Sequence, residues 1–589
     1  MTLTQKILAA HARSLPRPWV QVGDVLQISV DWTIASELAW NGMERTYSML
    51  GRPKLHDKDR FFLAVDHTVD PVTLATDRRA QKLVQLSQGF ARESGIRHFY
   101  DSNQTILHTK FYRDLVRPGD VVLGADSHTS SHGGLGAFSI GLGGADIVVA
   151  MVLGSSWIQV PEAIAVEYAG TLPFGIAGKD VILRTLGLLG RNTVAMERSV
   201  EYRGPGVRQL STDSRFAIAN MTAEFGGLNG IFEADEVTAA WLAGRTDEDD
   251  PQALQPMRAF RADPGAPYAQ TFQVDLARLE PQIAVPFSPD NVKGVTQLAG
   301  TGLQGLFIGA CTTTEEELVL AALVLEAAGV SRPANDKQIV VPGDLTIQEN
   351  LRRAGLWSVY ERAGFRVDQE RFRRILGERK PRRTPEVEAA EPQMRLAPAG
   401  ATSPSAKEAR AADKQRAGSV RSRIQRFGDN VDTDAIIPGQ FCHLTSLPEL
   451  GAKAFHFVRP DFARKVQEGA RVVVAGEGWG SGSSREQAVL ALKGAGVLAI
   501  VARSYAFIHK RNLVNEALPF LVVQDPRFYE LGKEGEEIEL DLVRGLLRLA
   551  GEEFRAEEPS AIIQALVGEG GIVPAIQHHG PTVFEKLTA

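Results

Sequence analysis

Asp126-Ser127-His128 stands just past the apolar run Val121-Val122-Leu123, and the construction recurs where Phe61-Phe62-Leu63-Ala64-Val65 runs into Asp66-His67-Thr68. A carboxylate next to an imidazole is the raw material of acid-base chemistry or of a metal site. Open α/β sheets gather reacting groups at the carboxyl ends of their strands. Further groups of this kind are scattered along the chain. His108 ends Thr105-Ile106-Leu107-His108, Cys311 follows Leu306-Phe307-Ile308, and Asn220 and Glu224 lie four apart on a helix expected over 217–227, hence on one face. Gly480-Ser481-Gly482-Ser483-Ser484-Arg485 follows the strand-like Arg471-Val472-Val473-Val474-Ala475 and precedes a helix. Such a turn offers backbone N–H groups and a helix N-terminus to an anion, and Arg485 adds a bidentate partner. Taken singly, each has a plainer alternative: a capped turn at Asp126, a surface pair at Asn220 and Glu224, a capped helix at Ser483. Glycines after His128, at 133, 134, 136, 141, 143 and 144, are expected to let the backbone approach a small ligand closely.

The elements that must hold these groups alternate. Helices are expected over 6–13 and 34–50, strands over 25–30 and 61–65, a helix over 74–93, then strand 96–100, buried helix 145–153, strand 163–168 and helix 180–189. A third unit starts near Gly305 with a strand that ends in small and polar residues within 305–314, and runs through helix 315–328, the stretch 339–344 and helix 348–363. Alternation at this spacing argues for βαβ units and largely parallel sheet. From about 377 to 420 the composition turns to Pro, Ala, Glu, Arg and Ser without apolar periodicity, as in a flexible linker. The expected organisation is therefore a large part over 1–376, a linker over 377–420 and a compact unit over 421–589.

A chain of 589 residues needs several cores, and its 44% hydrophobic and 23% charged content is that of a soluble globular protein. A formal net charge of -6 gives no reason to expect nucleic acid, and the Arg-rich run 371–383 reads as a solvated helix end and linker. No apolar run is long enough to span a bilayer and the N-terminus lacks a secretory pattern, so the expectation is a cytoplasmic protein. The two cysteines, Cys311 and Cys442, lie 131 residues apart, which rules out a disulfide framework or a Cys-x-x-Cys pair. Cys442 reads as a buried or semi-exposed thiol, and His456, His509, His578 and His579 have no spacing that demands a metal.

Taken in order, these motifs resemble the aconitase and isopropylmalate dehydratase family over nearly all of the chain except the linker. They are Asp66-His67-Thr68, Leu107-His108, Gly124 to Thr129, Glu201 to Gly206, Asn220-Met221 with Glu224, Gly309-Ala310-Cys311-Thr312, Asp432-Thr433-Asp434 and Gly482 to Glu486. The resemblance implies fused large and small subunits: an aconitase-like three-layer α/β large part with a truncated third unit, plus a C-terminal α/β swivel domain. It further implies a hydro-lyase or hydratase-isomerase acting on a small hydroxy-polycarboxylate. Ser484 matches the serine that takes a proton from carbon, Arg485 the arginine that holds a substrate carboxylate, and Asp66-His67 the pair that protonates the departing hydroxyl. His108, Asp126 and His128 match further catalytic positions, and Ser127, Ser483, Asn220 and Glu224 substrate-binding ones. Such an elimination needs a base for a weakly acidic C–H and an acid for a poor leaving group.

The chain also departs from the family. Of three cysteines that hold a four-iron four-sulfur cluster, only Cys311 has a counterpart; the stretch where a Cys-x-x-Cys pair belongs reads Ala363 to Glu370, and the arginine-bearing segment after it is missing. Near the N-terminus, Ala35-Ser36 takes the place of a polar active-site residue. No such cluster is expected. Either one divalent metal ion (iron, zinc or manganese) sits on Cys311, His108, Asp126, His128 and Glu224, or no metal does and the His and Asp residues act as acid and base. The expectation is a cluster-independent dehydratase with a small-molecule carboxylate as its partner, no membrane and no nucleic acid. The competing reading is a catalytically silent carboxylate-binding or regulatory protein of the same fold.

Overall fold

Trp32-Thr33-Ile34-Ala35-Ser36, buried at every position, is the central strand of a five-stranded sheet. In the computed structural model, which describes residues 1–245, 260–286, 288–331, 337–365 and 419–588, all its neighbours run parallel. The order across it is His98–Tyr100, Phe61–Ala64, Trp32–Ser36, Val121–Gly124, Phe138–Gly141. This corrects the helix expected over 34–50: the strand occupies Trp32–Ser36 and the helix begins only at Glu37, running to Met49. Local sequence from Ile34 onward is compatible with helix, but Asp31, whose carboxylate accepts from the Val121 N–H at 2.7 Å, starts a strand there. From the central strand the chain winds outward in both directions. A crevice therefore opens at the carboxyl ends of Phe61–Ala64 and Val121–Gly124, and Asp66 and Asp126 lie there.

A second, four-stranded parallel sheet has the order Asn229–Phe232, Ser199–Arg203, Ala163–Ala169, Thr271–Asp275. Glu201 on it caps the first helix, Leu3–His11, accepting from the Leu3 and Thr4 N–H groups at 3.1 and 2.9 Å. Helix Thr212–Asn220 passes into a 3-10 turn, Met221–Phe225, so the single helix expected over 217–227 is tighter in its second half. The third unit is small: Leu306–Ile308 pairs in parallel with Gln338–Val340 beside helices Glu315–Ala327, Leu345–Arg353 and Trp357–Arg362. The expected linker lies outside the described residues apart from its last two positions, where strand Ser419–Arg426 already begins. That strand is central in a seven-stranded mixed sheet, parallel on the Val472–Val474 side and antiparallel on the Glu537–Asp541 side. Among the described residues no helix is long and apolar enough to cross a membrane.

The C-terminal unit is docked through a dry contact. Ala145, Val149 and Trp157 belong to the same apolar cluster as Ile436, Trp479, Leu513 and Phe584. At its edge Arg511 meets Asp146 at 2.8 Å, with both side chains at most 3% exposed. Asn515 Nδ2 donates to the other oxygen of Asp146 at 2.7 Å, and Arg511 also donates to Ser156 and lies 4.0 Å over the Trp157 ring. Removing one member of such a pair strands the other charge out of water. Arg511→Met is expected to cost about 3–5 kcal/mol of stability, read as a lower urea midpoint, whereas an unchanged midpoint would show that the pair contributes nothing to docking.

Candidate active site

Asp126 is the hub. Strand Val121–Gly124 ends two residues before it, and its side chain caps a nine-residue 3-10 segment, Ser127–Leu135. One carboxylate oxygen accepts the His128 N–H at 2.8 Å and faces His108 Nε2 at 2.9 Å; His128 Nδ1 lies 3.6 Å from it. The other lies 3.9 Å from His67 Nε2. Burial alone would raise the pKa of Asp126, but its bonds to His108 and His128 hold it well below the usual carboxylate range. So the carboxylate stays ionised among three imidazoles.

His108 is the second residue of helix Leu107–Asp114, and its Nδ1 lies 3.3 Å from Nε2 of the fully buried His132. Burial, then the charge of His108, keeps His132 well below the ordinary histidine pKa. On the opposite side His128 Nε2 faces Glu224 Oε1 at 3.1 Å. Burial opposes charge on His128, but Cys311, Asp126 and Glu224 around it raise its pKa well above the ordinary value, and its hydrogen bond in turn lowers that of Glu224. Burial would push the Cys311 thiol up; the neighbouring His128 outweighs it and brings it down. Asn220 Nδ2 donates to Ser131 Oγ at 2.9 Å and lies 3.5 Å from Cys311 Sγ. Asn220 and Glu224 thus serve one site despite the break in the helix between them.

Asp66 and His67 sit at the end of the neighbouring strand. Asp66 accepts the Leu107 N–H at 2.8 Å with one oxygen and faces His67 Nδ1 at 2.7 Å with the other. Burial works against a charged His67, but contact with Asp66, and beyond it Asp126 and Glu37, raise its pKa to about 10. The turn itself hangs on Glu37, whose buried carboxylate accepts the N–H groups of Asp66, His67 and Thr68 at 3.0, 3.4 and 2.5 Å. Neither Glu37 nor His132 stood out in the sequence, and Glu37 falls inside the helix expected over 34–50.

The C-terminal unit closes the site with its serine turn. Ser483 Oγ lies 2.6 Å from Thr433 Oγ1 and accepts the Arg485 N–H at 3.3 Å. The Ser484 hydroxyl instead donates to the carbonyl of Ala125 at 3.0 Å, while Arg485 pairs with Asp434. Between the units lies a cleft of about 730 Å³, counting its open mouth, walled by Ser127, Arg191 and Glu224 on one side and by Ser481, Ser483 and Phe507 on the other. Of the glycine run, Gly141 reaches this cleft, but a Cβ on Gly134 would sit 2.7 Å from the Phe216 nitrogen. Tight packing of the 3-10 segment on helix Thr212–Asn220, not room for a ligand, requires glycine at 134.

The donor set does not fit a four-iron four-sulfur cluster, which is held by several thiolates: the chain has two cysteines, and Cys442 is buried in the C-terminal unit with its carbonyl bonded to Asn41. His108, Asp126, His128 and Glu224 are joined in series by the contacts above. Among the described residues, the triads whose ligating atoms lie within 4.8 Å of one another are Glu37, Asp66, His67 and Glu569, His578, His579. The last two histidines each meet the Glu569 carboxylate at 3.0 Å, and His509 faces Trp479 Nε1 at 3.2 Å in the core.

The description of the aconitase family (aconitate hydratase) matches residues 45–301, and that of the aconitase C-terminal domain residues 419–525. Aconitase htyD of Aspergillus rugulosus is 37% identical over 100% of this chain and 78% of its own length. The 3-isopropylmalate dehydratase large subunit gloJ of Glarea lozoyensis is 35% identical over 100% and 78%. A 3-isopropylmalate dehydratase large subunit of Heliobacterium modesticaldum, 35% identical, aligns with 62% of this chain and 84% of itself.

His67 carries a directly measurable consequence. Its raised pKa keeps it protonated through neutral pH, a contribution to stability present below the ordinary histidine value and lost as pH rises through about 10. Asp66→Asn is expected to lower that pKa by about 1–3 units in an NMR titration of the ring; an unmoved titration would separate the two residues.

Proposed function

The chain belongs to the aconitase family of hydro-lyases, and from that membership we propose that it removes and re-adds water on a small hydroxy-polycarboxylate, with a serine as base and without a four-iron four-sulfur cluster. The observation that carries this reading is the pairing of two proton-transfer groups with opposite needs. His67 is held protonated by Asp66, as the acid for a departing hydroxyl must be. In the C-terminal unit, a serine of the glycine-serine turn that lines the cleft is the candidate base.

We assign that base to Ser483, although sequence matching favours Ser484. Serine abstracts a proton from carbon only as an alkoxide, which needs donors aimed at its oxygen. The Arg485 N–H donates to Ser483 Oγ and the Thr433 hydroxyl lies 2.6 Å from it, whereas Ser484 donates to the Ala125 carbonyl and, among the described residues, accepts no hydrogen bond. In this scheme Ser483 takes the C–H proton, the electron pair forms the C=C bond, and the hydroxyl leaves from the adjacent carbon as water with the proton of His67 Nε2. Asp126 and Asp66 hold the imidazolium in place. His108 and His128 are committed to the carboxylates of Asp126 and Glu224, which favours acid-base work over a lone metal ion at these side chains.

Ser483→Ala is expected to lower turnover, and hydrogen–deuterium exchange at the substrate carbon, by about 10²–10⁴-fold with the fold intact. Ser484→Ala should retain most of both; the reverse ranking would return the role to Ser484. For the cluster, iron analysis of anaerobically purified protein is expected to fall well short of the about four irons, with brown colour, that a cluster would give. Reaching that number would overturn the cluster-free reading.

A further inference from the structure

The cleft contains a cation that this scheme leaves unused. Arg191 follows Gly190, the C-cap of helix Gly178–Leu189, and lines the cleft together with Ser127, Glu224 and Ser483. Its backbone N–H donates to Asp290 at 2.9 Å. Asn192, in the left-handed region at φ 54°, donates from Nδ2 to Asn430 of the C-terminal unit at 2.9 Å. Five residues further on, Glu197 pairs with Lys510 at 3.2 Å. The turn is thus tied to both sides of the cleft, which delivers the guanidinium to its wall with little freedom left to lose.

That guanidinium is half-buried and, among the described residues, makes no hydrogen bond and no close ion pair; its charge acts from a distance on Glu224 and Asp290. The other cations nearby are engaged: Arg485 with Asp434, and Lys179 with Thr312 Oγ1 at 2.6 Å. Glu224, which shares the wall, gives its carboxylate to His128 at 3.1 Å. Arg191 is the one cationic side chain among the described residues lining the cleft, while Met196, Leu228, Phe507 and Ile508 make much of the remaining wall apolar. A half-buried guanidinium with no anion in contact still has its N–H donors to offer, and its planar fork fits a carboxylate in two-point contact.

We propose that Arg191 is the docking point for the substrate carboxylate remote from the reacting carbon, so that the enzyme selects hydroxy acids carrying at least two carboxylates. The proposal rests on the hydro-lyase reading for the identity of the ligand, but its test does not require turnover. Calorimetric titration of the full chain with malate and with 3-hydroxybutyrate, which keeps the four-carbon skeleton and hydroxyl but lacks one carboxylate, isolates the contribution of that group. Wild type is expected to prefer malate. Arg191→Gln should weaken malate on the order of 10- to 100-fold and leave 3-hydroxybutyrate within about twofold, and Arg191→Lys should recover part of the loss. Malate binding unchanged in Arg191→Gln, equal loss for both acids, or a wild type without preference for malate would each overturn the assignment. A wild type that shows this pattern yet catalyses no exchange at carbon would leave Arg191 in place and remove the hydro-lyase reading instead.

Discussion

The cluster of ionisable groups in the large part is arranged about one partly buried carboxylate. Asp126 is surrounded by His108, His128 and, slightly further off, His67. Three imidazoles that close together would ordinarily repel protons from one another. The carboxylate reverses the sign of the environment, and Glu224 and Asp66 extend the effect outward on opposite sides. The result is an alternating row of acid and base groups whose protonation states are interdependent, from the neutral His132 at the inner end to the exposed ring of His67 at the outer one. Protons are thus held on both His128 and His67, on either side of Asp126.

The sequence was most readable where chemistry and strand ends coincide. Asp66, His67, Asp126 and His128 follow apolar runs, and the runs are strands. It was least readable where long-range pairing overrode local preference. Trp32–Ser36 flows into a helix and reads as part of one, yet its backbone is satisfied by strands that lie about thirty and ninety residues later, as the offsets of Asp66 and Val121 contacts indicate. Glu37 was hidden for the same reason, since its role comes from a turn remote in sequence. The motif match assigns the base to Ser484, although the two serines are adjacent and identical; their hydrogen bonds, to Thr433 for Ser483 and to Ala125 for Ser484, differ in a way no motif carries. The glycines were recognised as constraints, but they answer to different neighbours: Gly141 lines the cleft, whereas at Gly134 the close approach is to Phe216.

Sharing of an apolar core sets a limit on how the two units move. A cleft that must admit substrate favours some opening, whereas Trp157 packed into the C-terminal cluster and Asp146 neutralised by Arg511 and Asn515 favour a fixed seat. The polar links nearer the mouth, Asn192 to Asn430 and Glu197 to Lys510, are more exposed and weaker. Opening is therefore cheapest at the mouth and most expensive at the Asp146 seat, a hinge-like gradient built from burial alone.

The Asp146–Arg511 pair spans 365 residues of sequence. At about 5–20 residues per second of synthesis, the ribosome needs roughly 20–70 s to reach the arginine after it has made the aspartate. Throughout that interval the apolar patch around Val149 and Trp157 has no cover, and the serine turn that completes the cleft does not yet exist. A nascent chain of this protein consequently passes through a long stage in which it is sticky and inert at once.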